Sequence, residues 1–560
     1  MKLMKSCLHC VSMVICMTAG SVVGLADEVI GWHDSGMNGA VAAGHLDSVA
    51  AGIRVLKDGG RAADAAAATI LALAVTDYGL FAMGGEVPVL IYDASSKQVK
   101  CLSGLGTAPS DPAAIDWFMK NGIPYQGSMK AAPVPGAVDG VITLLRTFGT
   151  ISFEAAVTPA LELLDRGDQD WHPRLAVTLR KMVDSERAAV GTREQKLLAA
   201  RNRFYKGDIA DELEAWYIAT GSFLRKSDLA AHSTRIEDPV VVSYRGYQVL
   251  KCGPWTQGPV LCQNLRLLEG FDLKQMEHLS ADYLHLLTEA MKLGYADRDE
   301  YYGDPRFTNV PLTELLSDRY TELRRPLIDR KQASLQFRPG DPIGMQALKF
   351  QADVTSETET VPKQDTTTCL VADRWGNVVA ATPSCNLLTN TPGPSGVNTG
   401  NRVRSLNTAP GHPNQVAAGK RPRITLTPTM VLKDHQPVIA ISVAGGDLQD
   451  QTTLNVLLNH LEFGMMPKEA VTTPRFHTNH LQDSFNPRPD RHSAVIGRGE
   501  LVVNEEISES VRTELARRGH VVKTVAGPVG YPIMLTIDQG TGMIHAAGDP
   551  KARRHAAALD

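Results

Sequence analysis

The spacing of apolar residues near the start of the chain predicts two adjacent helices and a strand. Between residues 45 and 58, apolar side chains recur at helical spacing, and Gly59-Gly60 is a natural helix end. Residues 62–75 are rich in alanine and apolar nearly all round, which indicates a buried helix. A strand is predicted at 87–92.

The same patterns predict further elements along the rest of the chain. Helical spacing recurs at 138–148, 153–165 and 283–295, and the run 438–444 is typical of a strand. The predicted elements are therefore a mixture of helices and strands.

The main change of texture falls between residues 332 and 366. Residues 332–363 are polar, without periodicity, and end in a Ser/Thr/Glu-rich stretch. A hairpin is predicted at once afterwards, with strands at 366–372 and 378–382 around the turn Trp375-Gly376-Asn377. A hairpin entered abruptly from a polar segment indicates a processing junction between Asp365 and Thr366.

A cut at this junction would give Thr366 a distinctive chemistry. A free α-amine has a pKa of about 7.7–8.0, so near neutral pH it can accept the proton of the adjacent hydroxyl. One residue then supplies both nucleophile and base for attack on an amide carbonyl. Gly445-Gly446, after the strand at 438–444, is the candidate source of backbone N–H groups for the oxyanion.

Composition adds an export prediction and removes some classes of partner. The chain has 560 residues and a formal net charge of −4, which gives no reason to expect nucleic acid as a partner. Lys2 and Lys5 precede an apolar run, and small residues precede Asp27, so residues 1–26 are predicted to be a signal peptide. The alternative is an N-terminal membrane anchor, and no membrane span is predicted after signal removal. The expected location is the periplasm or the medium.

Cysteine and histidine patterns predict no cofactor and no metal. Five cysteines remain after residue 26, an odd number at long spacings; Cys252 and Cys262 either pair or stay as buried thiols. His477 and His480 have a spacing that could suit a metal, but no third ligand is near in sequence, so a polar loop is the preferred interpretation. Nucleotide-binding motifs are also absent from the sequence.

Several segments, in order along the chain, resemble the γ-glutamyltransferase (glutathione hydrolase) family. These segments are LKDGGRAADAAAATILAL, APVPGAVDGV, EAMKLGYADRDEYYGDPRF, TTTCLVADRWGNVVAATPSCN, GKRPRITLTPTMV and AGGDLQDQ. The resemblance spans about residues 36–550 and identifies the chain as a divergent member of the family.

The resemblance implies the α+β fold of N-terminal nucleophile hydrolases, a four-layer αββα sandwich. It implies cleavage into a large chain, 27–365, and a small chain, 366–560, which stay associated. Matched residue by residue, the implied site comprises the nucleophile Thr366, the following Thr367, the second hydroxyl Ser384, a substrate-contacting Asn386, and the oxyanion pair Gly445 and Gly446.

The chain departs from the family at the residues that hold γ-glutamate. Leu105 stands where the family has a carboxylate-binding Arg, and no acidic residue lies at 406–413 to receive the α-amine. One of two paired serines is replaced by Ile424, which leaves Thr425 as a single hydroxyl, and Thr368 replaces a histidine. Arg423 is a candidate replacement anion contact.

Arg402 and Arg404 are further candidates for that anion contact, against the alternative that all three arginines form a solvated basic rim. The leading hypothesis is therefore a self-cleaving amidohydrolase or acyltransferase of altered acyl specificity, acting on a small-molecule amide. The alternatives are a true glutathione hydrolase that binds glutamate by other residues, and a non-catalytic exported binding protein on the same fold.

Overall fold

The computed structural model describes residues 30–124, 127–356, 365–389, 392–491 and 493–560. The predicted signal peptide and the end of the polar segment, 357–364, lie outside this part of the chain. None of the helices in the described ranges is both long and apolar enough to cross a membrane.

Sixteen α-helices lie in the described part of the chain. They are α1 (Leu46–Lys57), α2 (Ala62–Thr76), α3 (Pro112–Asn121), α4 (Ala137–Phe148), α5 (Phe153–Arg166), α6 (His172–Ala188), α7 (Arg193–Tyr205), α8 (Asp208–Ala219), α9 (Lys226–Ala231), α10 (Pro259–Leu268), α11 (Ala281–Tyr301), α12 (Leu312–Leu315), α13 (Asp318–Arg324), α14 (Leu448–Leu461), α15 (Pro467–Thr472) and α16 (Glu509–Arg517).

The strands of the same residues form two large sheets and three small ones. They are β1 (His33–Gly36), β2 (Gly39–Ala43), β3 (Val89–Asp93), β4 (Gln98–Leu102), β5 (Ile236–Glu237), β6 (Val240–Tyr244), β7 (Tyr247–Lys251), β8 (Gln336–Phe337), β9 (Ala352–Asp353), β10 (Cys369–Asp373), β11 (Val378–Ala381), β12 (Thr429–Lys433), β13 (Gln436–Ala444), β14 (Phe476–Thr478), β15 (Leu481–Gln482), β16 (Val495–Ile496), β17 (Glu500–Asn504), β18 (Val521–Val525), β19 (Tyr531–Ile537), β20 (Ile544–Gly548) and β21 (His555–Leu559).

Each large sheet has seven antiparallel strands. The first sheet runs β21-β2-β10-β11-β3-β4-β5, and the second runs β1-β20-β19-β13-β12-β7-β6. Both sheets mix strands from before and after residue 365; β2, for example, lies between β10 and β21. The predicted large and small chains are therefore interleaved within both sheets.

Alternating side chains of the inner strands define four layers. On β10, Cys369 and Val371 pack with residues of α1 and α2, whereas Leu370 and Ala372 pack against side chains of the second sheet. On β13, Ile441 belongs to the core under α10, α11 and α14. Because each strand has two apolar faces, helices cover both outer surfaces, and the order of layers is the predicted αββα.

Side-chain hydrogen bonds define the starts of α1 and α2. The His45 side chain accepts from the Asp47 N–H at 3.2 Å, which caps α1. The Asp373 carboxylate, at the end of β10, accepts from the Ala62 N–H at 2.8 Å and so ties β10 to the start of α2. Asp373 also accepts from the Trp375 N–H, which shapes the β10–β11 turn.

The helix predictions at the start of the chain are confirmed, and the strand boundaries need correction. Helices α1 and α2 end within one residue of the predicted limits, while α11 extends six residues beyond its predicted end. The first hairpin strand begins at Cys369 and not at Thr366, because Thr366 pairs with Ser384 only through an isolated bridge.

Candidate active site

Thr366 lies three residues before β10, where it forms an isolated bridge with Ser384, and its side chain is completely buried. Its hydroxyl lies 3.0 Å from Asp365 Oδ1 and 3.3 Å from Ser384 Oγ. Ser384 in turn donates to the Asp365 carbonyl oxygen at 2.5 Å. The peptide bond between Asp365 and Thr366 is therefore flanked by two hydroxyls and a carboxylate.

The segment Gly85-Glu86 holds Ser384 in place. Its backbone N–H and C=O pair with those of Glu86, both at 2.9 Å. A Cβ on the preceding Gly85 would lie 2.1 Å from the Ser384 carbonyl oxygen, so only glycine permits this approach. Ser384, which follows β11, therefore packs directly against the backbone of Gly85 and Glu86.

A buried ion pair lies behind Ser384. The Arg402 guanidinium donates to Glu86 Oε1 at 2.6 Å and to Ser384 Oγ at 3.2 Å, and both charged side chains are almost completely buried. Burial raises the pKa of the Glu86 carboxyl above its ordinary value, and the Arg402 charge opposes that rise. Arg402 thus donates to the Ser384 hydroxyl, which lies 3.3 Å from the hydroxyl of the candidate nucleophile.

The two residues between Thr366 and β10 lie in a polar environment. The Thr367 hydroxyl donates to Asp77, which follows α2, and Arg554 donates to the Thr366 carbonyl oxygen at 3.3 Å. The Thr368 hydroxyl has no partner within the described ranges. The backbone at the junction is thus anchored from α2 on one side and from the end of the chain on the other.

Gly445 and Gly446 follow β13 with φ of 138° and 60°, values that favour glycine. Their amide N–H groups donate no hydrogen bond to another described residue. A Cβ on Gly446 would lie 2.7 Å from the Phe485 ring, and that ring lies 5.3 Å from the Arg402 guanidinium. The diglycine is thus linked to the Thr366 neighbourhood through Phe485 and Arg402.

The predicted substrate-binding residues divide into two groups. Asn386 donates to Asp365 Oδ2 at 3.2 Å, and the buried Thr425 hydroxyl has no partner among the described residues. Leu105 packs in the apolar layer between the sheets. Arg423 is held by Asp299 at 3.2 Å. The structure therefore brings Asn386 to the junction and ties Arg423 into a separate ion-pair network.

The interpretation of three arginines as a solvated rim is corrected by the structure. The three candidate arginines do not form a solvated rim, because Arg402, Arg404 and Arg423 are all buried. Asp447, which directly follows Gly446, lies at the N-cap position of α14, and its side chain accepts from Arg298 and Ser484.

The cysteines and histidines carry no second site. The five described cysteines are free and buried, so Cys252 and Cys262 do not pair. His477 lies in β14 and His480 follows that strand, and both are buried, which corrects the polar-loop interpretation for His477. Among the residues that the structure describes, no three His, Cys, Asp or Glu side chains are grouped to hold a metal ion.

Sequence reasoning missed Glu86, Asp77 and Arg554. Glu86 directly follows Gly84-Gly85, a pair that marks close backbone approach and would have been the one local signal. Asp77 and Arg554 carry no such signal, since each reaches the site only through contacts distant in sequence.

The four layers, with a buried threonine three residues before the inner strand β10, define the fold of N-terminal nucleophile hydrolases. A family model described as gamma-glutamyltranspeptidase matches residues 48–184 and 162–559. The chain belongs to the gamma-glutamyltranspeptidase family.

Relatives and solved structures of the family match most of the chain. A glutathione hydrolase proenzyme of Bacillus subtilis (strain 168) is 31% identical over 559 residues, covering 94% of this chain and 92% of that protein. An Acylase ACY 1 proenzyme of Pseudomonas sp. (strain SE83) is 30% identical and covers 87% of this chain and 88% of that protein.

The crystal structure of cephalosporin acylase from Bacillus halodurans superposes with a TM-score of 0.77 at 25% identity, over 94% of this chain and 97% of that one. Both kinds of relative are named as hydrolytic enzymes, and the chain is a hydrolytic enzyme of this family.

Proposed function

We propose that this chain cuts itself between Asp365 and Thr366 and then uses the freed Thr366 as the nucleophile of an amide hydrolase. The observation that carries the proposal is the Ser384 hydroxyl, which donates to the Asp365 carbonyl oxygen at 2.5 Å beside the Thr366 hydroxyl. A donor there stabilises the oxyanion that forms when the hydroxyl attacks. Relatives that are named proenzymes support the same conclusion.

In the processed enzyme, the Thr366 α-amine takes the hydroxyl proton as Oγ1 attacks the substrate amide. The acyl group is transferred to Oγ1 as an ester, the amine leaves, and water or a second amine releases the acyl group. The free N–H groups of Gly445 and Gly446 are suited to stabilise the oxyanion of each step. Asn386 and Thr425 offer polar atoms to the acyl group.

We further propose that the acyl group differs from γ-glutamyl. The position that would bind the glutamate carboxylate is held by Leu105, an apolar side chain in the interlayer core. Arg423 is tied to Asp299 and not to the junction. Arg402, oriented by Glu86, is the guanidinium next to Ser384 and suits an acyl group with an anionic or carbonyl oxygen. The acylase relatives favour this specificity, and the glutathione hydrolase relatives favour the alternative.

The proposed mature protein lacks residues 1–26 and acts outside the cytoplasm. Mass spectrometry of the protein from the periplasm or medium should find Asp27 as the first residue of the large chain. An intact Met1 on active protein would overturn the export proposal and leave the catalytic one unaffected.

Purified wild type and Thr366→Ala test the nucleophile. The wild type should give two bands, 27–365 and 366–560, and Thr366→Ala should stay as one band without amidase activity. Thr366→Ser, which keeps a hydroxyl, should still be cut. An uncut but active wild type, or an active Thr366→Ala, would refute the mechanism.

Acyl specificity is tested separately with a γ-glutamyl anilide, simple acyl anilides and oxamate. The mature enzyme should hydrolyse an acyl anilide or oxamate with a higher kcat/KM than the γ-glutamyl anilide. Efficient γ-glutamyl turnover would favour the glutathione hydrolase alternative instead.

A further inference from the structure

The uncut chain needs a base that the mature enzyme does not. Before the cut, the Thr366 nitrogen is a peptide amide, which has no basic lone pair. The α-amine that serves the mature enzyme does not yet exist. If the chain cuts itself, as proposed above, another group must take the Thr366 hydroxyl proton during that first reaction.

Among the described residues, two groups lie within hydrogen-bonding distance of the Thr366 hydroxyl, and one of them can act as a base. Ser384 Oγ lies at 3.3 Å, but it donates its single proton to the Asp365 carbonyl oxygen and accepts from Arg402 at 3.2 Å. Its role is therefore that of an oxyanion donor. The other group, at 3.0 Å, is the carboxylate of Asp365 itself.

Asp365 is held in the orientation that this role requires. Its side chain is buried, and its second oxygen, Oδ2, accepts from Asn386 Nδ2 at 3.2 Å. That contact leaves Oδ1 directed at the Thr366 hydroxyl. The Glu86 carboxylate, which interacts electrostatically with Asp365, is paired with Arg402. We propose that Asp365 is the general base that activates Thr366 for self-cleavage.

The chemistry balances with water as the only other reactant. Oδ1 takes the hydroxyl proton while Thr366 Oγ1 attacks the Asp365 carbonyl carbon, and the oxyanion forms on the oxygen bonded by Ser384. The C–N bond then breaks, and the Asp365 carboxyl returns the proton to the Thr366 nitrogen. Water finally hydrolyses the ester, which frees the Asp365 α-carboxylate and the Thr366 hydroxyl. After this reaction Asp365 is the last residue of the large chain and is no longer covalently bonded to Thr366.

The test is the rate at which newly synthesised, labelled full-length precursor is converted into two chains. General-base assistance contributes roughly 10²–10⁴-fold, so Asp365→Asn should be cut slower by a factor in that range. Asp365→Glu should be cut at an intermediate rate, because it keeps a carboxylate that is poorly placed. Asp353→Asn, an equal charge change at an exposed position, is the matched control and should be cut at the wild-type rate.

The order of the rates separates a base from a packing role. If Asp365 acts as a base, the cleavage rate should fall in the order Asp, Glu, Asn. If Asp365 only packs against its neighbours, the isosteric Asn variant should be cut faster than the bulkier Glu variant. Asp365→Asn cut at the wild-type rate, or faster than Asp365→Glu, overturns the proposal. Melting temperatures of Asp365→Asn and the uncut Thr366→Ala should agree within a few degrees, which excludes misfolding as the cause. A wild type that stays uncut would instead overturn the self-cleavage proposal.

Discussion

The buried pair of Glu86 and Arg402 offers the sharpest test of how the site is held together. Replacing Arg402 by Met removes a guanidinium that donates to Glu86 at 2.6 Å and to Ser384 at 3.2 Å. The Glu86 carboxyl then remains buried without its counter-charge. Removing one partner of a buried pair costs about 3–5 kcal/mol of folding free energy.

This cost converts into a measurable shift in melting temperature. The unfolding entropy of about 2.1 cal/mol/K per residue gives roughly 1.2 kcal/mol/K for a chain of 560 residues. Arg402→Met should therefore lower Tm by about 3–4 °C. The melts are best done in the Thr366→Ala background, so that every variant is one uncut chain.

A second substitution and a surface control make the result specific. The double variant Glu86→Gln, Arg402→Met has no buried charge and should be more stable than Arg402→Met alone by about 1 °C or more. Arg54→Met breaks an ion pair of 2.9 Å whose partners are about half exposed, and should cost less than 1 kcal/mol. The reasoning is refuted if Arg402→Met and Arg54→Met have equal effects, or if the double variant is no more stable than Arg402→Met.

Three further predictions follow from residues of the site and its surroundings. Gly446→Ala should lower kcat/KM at least about tenfold, because its Cβ would overlap Phe485, whereas Gly411→Ala, with open space at φ 74°, should leave kcat/KM unchanged. Leu105→Arg should lower Tm and create no γ-glutamyl hydrolysis, since the charge enters the apolar interlayer core; increased γ-glutamyl anilide turnover would contradict this.

Burial lowers the pKa of His477 to about 4, below its unfolded value near 6.5, so stability should fall as pH falls through that range. His477→Asn should reduce the loss of unfolding free energy between pH 7 and pH 5 by about 2 kcal/mol, measured by urea denaturation in both variants. Equal losses in both would show that His477 is not held neutral.

Elements with their own internal signal were predictable from sequence. Helix α2 is apolar nearly all round, and its predicted start, Ala62, is the observed one. The start of β10 was not predictable in the same way. Thr366 and its neighbours have high β propensity, but Thr366 forms only an isolated bridge, with Ser384, and the continuous ladder begins at Cys369.

The site was predictable as far as its residues are close in sequence or resemble a family pattern. Thr366 and Ser384 are separated by a single hairpin, and the hairpin pattern places them side by side. The Glu86–Arg402 pair joins residues 316 apart, and the Thr367–Asp77 contact joins residues 290 apart. Such contacts depend on how the two sheets assemble, which no local pattern specifies.

The mixing of strands from both sides of residue 365 in each large sheet affects how the protein unfolds and refolds on heating. Because β2 is paired on both edges with strands from the other side of the proposed cut, neither chain of a cleaved molecule can dissociate without breaking two ladders. After denaturation, however, the two chains of the cleaved protein must reassociate by diffusion before they can refold. The uncut precursor refolds as a single chain. Heat inactivation of the mature form should therefore be far harder to reverse on cooling than that of its uncut parent.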